Sequence, residues 1–160
     1  MRKIKVFIDG ACKNVKDKNK AIGGWSYVIT DDKYNIEKQK CGKLRKGIQN
    51  STRAELEALY QALLKIKEKK SNVKFDIYCD CKSVVENIIG TAERKANRDM
   101  WEKIEPLCLK LAGRFRIHNV KAHKKNELTK EEEFNKIADK LAQIGANSLM
   151  FAPVNNWLEE

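Results

Sequence analysis

The chain has 160 residues, a length typical of one domain built around a single hydrophobic core. Its formal net charge of +11 favours a polyanionic partner, either nucleic acid or an anionic membrane surface. An apolar run of about twenty residues and a basic amphipathic helix are both missing from the sequence, which argues against a membrane. Without a signal-peptide core after Met1, and with an odd number of cysteines, a cytoplasmic location is expected.

Hydrophobic periodicity and turn signals predict five strands and four helices in one domain. The expected strands span residues 3–9, 23–31, 35–43, 73–79 and 114–121. The expected helices span residues 51–69, 81–89, 97–112 and 130–147, and Thr129 with Glu132 fits a capping box at the start of the last one. Three consecutive strands followed by alternating helices and strands indicate a mixed α/β layer.

Two aspartates are predicted to close strands of this sheet. Asp9 follows a run rich in β-branched and aromatic residues and precedes Gly10, a turn signal, so we expect the strand to end there. Asp80 follows a strand in which Ile77 and Cys79 alternate to the face opposite the aspartate. The carboxyl edge of an open α/β sheet is where ligands bind, so both carboxylates are candidates for a site.

Two further carboxylates lie on predicted helices. Helical spacing puts Glu55 on the apolar face of the first helix, toward the sheet, whereas Glu57 is predicted to face solvent. Thr52 and Glu55 also fit a capping box, the structural alternative for this glutamate. Asp139 borders the apolar stripe of the last helix.

Four carboxylates near a core boundary require compensation, because buried like charges are costly unless a cation neutralises them or their protonation shifts. Oxygen-only ligands favour hard ions such as Mg²⁺ or Mn²⁺. Zinc on Cys79 and Cys81 is disfavoured because a second Cys or His pair is missing. Each acidic residue taken alone could have a purely structural role. Separate structural roles are a poor explanation for four carboxylates that are all predicted near one edge of the sheet.

The chain resembles the type 1 ribonucleases H, in the variant that lacks a basic helical protrusion. The segments that carry the resemblance, in the family's order, are residues 7–12, 23–29, 52–56, 78–82, 120–123 and 135–142. The resemblance implies a ribonuclease H-like five-stranded mixed sheet, with three antiparallel strands and then two parallel ones, flanked by helices. It places the catalytic domain at residues 1–148 and leaves residues 149–160 as a C-terminal tail.

The resemblance implies an endoribonuclease that cleaves the RNA strand of RNA–DNA hybrids and leaves 5′-phosphate and 3′-hydroxyl ends. It further implies two Mg²⁺ ions, with Mn²⁺ as a possible substitute, and a monomeric enzyme. Asp9 would bridge both ions, Glu55 and Asp80 would share one with it, and Asp139 would complete the other. The family's loop histidine maps onto His123, which would assist turnover, whereas His118 falls within a predicted strand and is expected to be structural.

Basic residues concentrate in predicted loops and are expected to contact phosphate. They are Lys13, Lys16, Lys18 and Lys20, then Lys43, Arg45 and Lys46, and finally Lys121, Lys124 and Lys125. Residues 90–96 form a link that is too short to contain the protrusion. The contacts that bind the hybrid are therefore expected to come from these loops. Asn14, Asn50 and Ser51 are candidate contacts to the substrate, and Trp25 and Trp101 are expected to pack in the core.

Two rival functions remain at this point. A non-catalytic module that binds hybrids would keep the fold and the charge, but the complete carboxylate set argues against it. Another metal nuclease of the same architecture, such as a resolvase or integrase, is disfavoured by the three-strand opening with Glu55 on the first helix.

Overall fold

The structure, a computed structural model, describes residues 2–14, 16–17, 19–90, 96–121 and 128–148. The nine predicted elements are present in the predicted order. The strands are β1 Lys3–Lys13, β2 Ile22–Asp31, β3 Ile36–Lys43, β4 Lys74–Cys79 and β5 Phe115–Asn119. The helices are α1 Ser51–Lys67, α2 Lys82–Ile89, α3 Arg98–Lys110 and α4 Lys130–Asn147.

The strands form one five-stranded sheet in the order β3-β2-β1-β4-β5. β1, β2 and β3 are antiparallel neighbours, and β4 and β5 continue the sheet in parallel on the other side of β1. This is the predicted mixed α/β architecture, with a helical connection before each of the parallel strands.

The end of β1 differs from the prediction. Asp9 does not close the strand, because β1 continues to Lys13 and stays paired with β2 over that length. The parallel pairing with β4, in contrast, stops at Ile8 opposite Cys79. Asp9 is therefore the first residue of β1 that has no partner on β4. The turn signal at Asp9-Gly10 wrongly predicted the end of the strand, but it marks the point where the pairing with β4 ends.

Helices cover both faces of the sheet. Alternate residues of β1 point to opposite faces, so Ile8 belongs to the larger core beneath α1, α2 and α3. Phe7 belongs to the smaller core beneath α4, where it packs against Phe134. The predicted packing roles of Trp25 and Trp101 are confirmed, since only 1% and 5% of their surfaces are exposed. The carboxyl edge of β1 and β4 lies between these two helical layers.

Predicted helix caps are partly confirmed. Thr129 caps α4 in a reciprocal capping box with Glu132, as the sequence indicated. The alternative of a box at Thr52 is wrong, because α1 begins at Ser51 and Asn50 is its N-cap, accepting from the backbone N–H of Arg53 at 2.7 Å.

Glu57 is buried rather than solvated, contrary to the prediction. Only 7% of its surface is exposed, because α3 packs beside α1 and covers that flank of the helix. Its Oε2 accepts a hydrogen bond from Nε2 of Gln61 at 3.4 Å. The periodicity of apolar residues within α1 predicts the face that packs on the sheet, but it cannot predict burial by a neighbouring helix.

The docking of α4 leads to a first prediction. A Cβ on Gly145 would lie 2.4 Å from the carbonyl oxygen of Gly42, so the helix touches the sheet backbone there. Replacing a helical glycine by alanine normally stabilises by about 1 kcal/mol. For Gly145→Ala we instead expect overpacking to lower the free energy of unfolding by roughly 1–3 kcal/mol, measured by urea unfolding.

Lys140→Ala on the exposed side of α4 is the matched control, expected to change the unfolding free energy by less than about 0.5 kcal/mol. A more stable Gly145→Ala variant would contradict the tight helix-to-sheet contact.

Candidate active site and metal centre

A close approach of two backbones brings Glu55 beside Asp9. A Cβ on Gly10 would lie 2.3 Å from the amide nitrogen of Glu55 and 2.4 Å from the carbonyl carbon of Ala54, so only glycine fits between β1 and α1. The carboxylates that flank this contact are both buried, with 2% of Asp9 and 4% of Glu55 exposed. The site therefore begins as two acidic groups held beside each other at the buried interface between β1 and α1.

A second set of contacts positions Asp139 on α4. Ser26 is the cross-strand partner of Asp9, and its hydroxyl donates to the carbonyl oxygen of Ala138 at 2.5 Å. Gly24, on the same face of β2, lets α4 approach so closely that a Cβ would lie 2.2 Å from the helix backbone. The strand next to Asp9 thus fixes the turn of helix that carries Asp139.

Asp80 completes the cluster from the end of β4. Ligand atoms of Glu55, Cys79 and Asp80 all lie within 4.8 Å of one another. The Asp80 side chain is exposed, unlike those of Glu55 and Cys79. All four predicted carboxylates therefore converge at the carboxyl edge of the sheet, with two buried and two facing a cleft.

The cleft beside the cluster has a volume of about 240 Å³. It lies between the end of β5 and α4, and its lining residues are Asp80, Val120, Lys121, Leu128, Glu132, Asn135, Lys136 and Asp139. Asp139 also accepts a hydrogen bond at Oδ2 from Nε2 of Gln143, at 3.0 Å. A metal ion or substrate can therefore reach Asp80 and Asp139 from solvent through this cleft.

The electrostatics of the cluster favour a bound cation. Burial raises the pKa of Asp9 to about 7; its hydrogen bond with Glu55 lowers that value, and the charges of Asp80 and Asp139 raise it. Burial also raises the pKa of Glu55 well above its usual range, and the neighbouring Cys79, Asp9 and Asp80 raise it further. Without a cation, these groups hold protons that a hard metal ion would displace.

The residues present fit a hard divalent ion. The carboxylates supply oxygen ligands, and Oδ1 of Asn135, a residue only 8% exposed, is buried without a hydrogen-bond partner among the described residues. Because Asn135 lines the cleft together with Asp80 and Asp139, its carbonyl oxygen is available to a cation or to water held by one.

The predicted substrate contacts lie outside the carboxylate cluster. Asn14 is exposed in the loop after β1, in a left-handed conformation (φ 57), with Nδ2 donating to the Lys20 carbonyl at 3.2 Å. Asn50 uses its side-chain oxygen to cap α1, which leaves its amide nitrogen for other contacts, and Ser51 beside it is exposed. Lys121 is exposed on the rim of the cleft.

His123, Lys124, Lys125 and the proposed tail over residues 149–160 lie outside the described residues. Their roles remain predictions from sequence. Across the parts of the chain that are described, no helix is long and apolar enough to cross a membrane.

Sequence reasoning missed Gly10, Ser26 and Asn135. Asn135 precedes Asp139 by four residues on a predicted helix, a spacing that puts two side chains on one face and could have identified it. Gly10 and Ser26 carry no comparable local signal, because their importance comes from backbones that approach from distant parts of the chain.

Comparison with known proteins identifies the family. The RNase H family model matches residues 1–147, so the chain belongs to the RNase H family, a metal-dependent group, and is an enzyme of the ribonuclease H class. No curated protein sequence matches the chain significantly.

Solved structures share the fold at low sequence identity. LC11-RNase H1, isolated from compost by a metagenomic approach, is 22% identical with a TM-score of 0.73, over 92% of this chain and 97% of that one. The same protein in complex with an RNA/DNA hybrid is 19% identical with a TM-score of 0.71, over 90% and 96%. The RNase H domain of prototype foamy virus is 21% identical with a TM-score of 0.72, over 92% and 96%.

The raised pKa of Asp9 predicts that the metal-free protein loses stability as pH rises. The unfolded chain releases this proton near the ordinary value of 3.8, whereas the folded protein keeps it up to about 7. Between these values the folded state binds more protons, so the unfolding free energy falls by up to about 1.4 kcal/mol per pH unit for one group.

Asp9→Asn removes this proton and should flatten the slope between about pH 4 and pH 7, measured by urea unfolding in chelator. Added Mg²⁺ should stabilise the unmodified protein more at high pH than at low pH, because its ligands must be ionised. Parallel pH profiles for the two proteins would rule out a perturbed Asp9.

Proposed function

We propose that the protein hydrolyses the RNA strand of RNA–DNA hybrids. The convergence of Asp9, Glu55, Asp80 and Asp139 at one edge of the sheet is the observation that carries this proposal. Family membership supports it, as does the shared fold with LC11-RNase H1, which binds an RNA/DNA hybrid. The net charge of +11 suits a polyanionic duplex.

The four carboxylates are proposed to hold two Mg²⁺ ions, with Mn²⁺ as a substitute. Asp9, at the centre of the cluster, would contact both ions, Glu55 and Asp80 would complete one site, and Asp139 the other. The ions, when bound, supply an activated water and stabilise the charge on the leaving oxygen. Cleavage is proposed to leave 5′-phosphate and 3′-hydroxyl ends.

The chain's own residues would orient this chemistry. Asp9 and Glu55, held rigidly by the contact at Gly10, would keep their oxygens in place when the site ionises. Asp80 and Asp139 face the cleft, where the scissile phosphate would enter. His123 is proposed to assist turnover or product departure by moving a proton near the site.

Substrate binding is proposed to rest on the loops around the cleft. The ribose 2′-hydroxyl distinguishes RNA from DNA by offering both a donor and an acceptor. Asn14, the amide nitrogen of Asn50, and Ser51 are proposed to make polar contacts of this kind. Lys121, Lys124 and Lys125 would contact phosphate, in place of the protrusion for which residues 90–97, between α2 and α3, leave no room.

Asp80→Asn tests the catalytic assignment. The change removes one charged ligand while retaining shape, so cleavage of a hybrid should fall by more than the roughly 10- to 100-fold that loss of a supporting residue costs a metal site. Hybrid binding and thermal unfolding should stay close to those of the unmodified protein. The measurement is single-turnover cleavage of an end-labelled hybrid with Mg²⁺ or chelator.

Asp76→Asn is the matched control, because Asp76 lies on the same face of β4 and bonds His118 at 2.7 Å, away from the cleft. Turnover by Asp80→Asn equal to that of the Asp76→Asn control would refute the assignment. An unmodified protein that binds hybrid without cleaving it would point instead to a non-catalytic binding module.

Phosphate contacts predict a steep salt dependence of hybrid affinity. Each neutralised phosphate contributes about −0.9 to the slope of log affinity against log salt for duplex DNA. Replacing Lys121, Lys124 and Lys125 together by Ala should flatten this slope, measured by fluorescence anisotropy at several salt concentrations. The cleavage rate at saturating hybrid should change little, because these side chains would position phosphate without holding metal.

Replacing Lys67, Lys69 and Lys70 by Ala removes the same charge from the far end of α1 and serves as the control. The control should leave the salt slope nearly unchanged. Equal slopes for the two triple variants would place the hybrid groove elsewhere.

A further inference from the structure

A thiol contacts the most deeply held carboxylate of the site. Cys79 is the last residue of β4 and is fully buried. Its Sγ lies 3.6 Å from Oε2 of Glu55, within the distance of a hydrogen bond that sulfur donates. The same sulfur is 3.8 Å from the carbonyl oxygen of Cys81, the residue that follows Asp80. It therefore lies between the Glu55 carboxylate and this backbone carbonyl.

Strand and helix geometry explain this contact. Phe75, Ile77 and Cys79 alternate toward the face covered by α1, which is the face that receives Glu55. Cys79 pairs with Ile8, the residue before Asp9. The thiol therefore meets Glu55 within the buried part of the cluster, and neither residue lines the cleft that Asp80 and Asp139 line.

The Glu55 carboxylate needs a donor at this position. Asp9 and Asp80 beside it carry the same charge when ionised, and ionised carboxylates only accept hydrogen bonds. Among the side chains described, the Cys79 thiol is a neutral donor within hydrogen-bond distance of Glu55. A buried acceptor that loses its donor is left unsatisfied or turns to another partner.

We propose that Cys79 is a positioning residue, whose thiol holds Oε2 of Glu55 and leaves the other carboxylate oxygen for a divalent cation. This role deepens the proposed function and rests on it. Cys79 is not assigned as a ligand, because it is fully buried and Mg²⁺ prefers oxygen to sulfur.

Cys79→Ser and Cys79→Ala form a matched pair for the test, because the two variants differ by one hydroxyl and only Ser keeps a donor. Mg²⁺ and Mn²⁺ binding to the hybrid-free protein would be measured by calorimetry. Cys79→Ala should weaken binding by about 10-fold, the lower end of what loss of a residue supporting a ligand costs. Cys79→Ser should stay within about 3-fold of the unmodified protein, since a hydroxyl also donates to a carboxylate.

Thermal unfolding of both variants separates positioning from packing. Equal weakening of metal binding in the Ser and Ala variants would overturn the proposal, because the donor would then not matter. Unchanged binding in both would overturn it as well. A thiolate-to-metal charge-transfer band with Co²⁺ in the unmodified protein, absent in Cys79→Ser, would make Cys79 a ligand and also refute the positioning role.

The S–H infrared stretch gives a readout that needs neither metal nor cleavage. The Cys79 band would be assigned in metal-free protein by its loss in Cys79→Ala. It should move to higher frequency in Glu55→Ala, because the acceptor is removed, while the band of Cys41, a buried thiol on β3, stays in place. An unmoved Cys79 band would refute the hydrogen bond, whatever the outcome of the cleavage assays.

Discussion

The contact between the backbones of β1 and α1 is the constraint on which the rest of the site depends. At Gly10 no side chain separates the strand from Ala54 and Glu55, so the helix cannot move without opening the core. Asp9 and Glu55 are thereby held at a buried interface, where their carboxylates repel each other once both are ionised. The packing energy of the larger core, in which α1 is deeply buried, stabilises an arrangement that is unfavourable for the charges alone.

This arrangement couples the stability of the fold to protons and cations. A buried acidic cluster either retains protons or attracts positive charge, and the raised pKa values of Asp9 and Glu55 show the first response. A divalent ion would substitute for those protons and relieve the repulsion. The site is thus rigid in its backbone and adjustable in its charge, a combination that suits metal-assisted hydrolysis of a phosphodiester.

The pairing of β1 makes the site possible at this place in the fold. Residues up to Ile8 are hydrogen-bonded on both sides, whereas Asp9 and its successors pair only with β2. The open side admits Asp80 from the end of β4, and the β2 side carries Ser26, which holds α4. Solved structures that are 22% and 21% identical to this chain share the fold.

The amino-acid sequence by itself determined the order of the elements, the mixed sheet, the capping box at Thr129 and the four carboxylates that converge. These follow from local periodicity and hydrogen bonding, which act over a few residues. Tertiary structure alone decided that β1 runs beyond Asp9 and that the Cys79 thiol meets Glu55. The physical reason is that these features depend on how closely distant backbones pack, and that distance is set by the whole core rather than by any one segment.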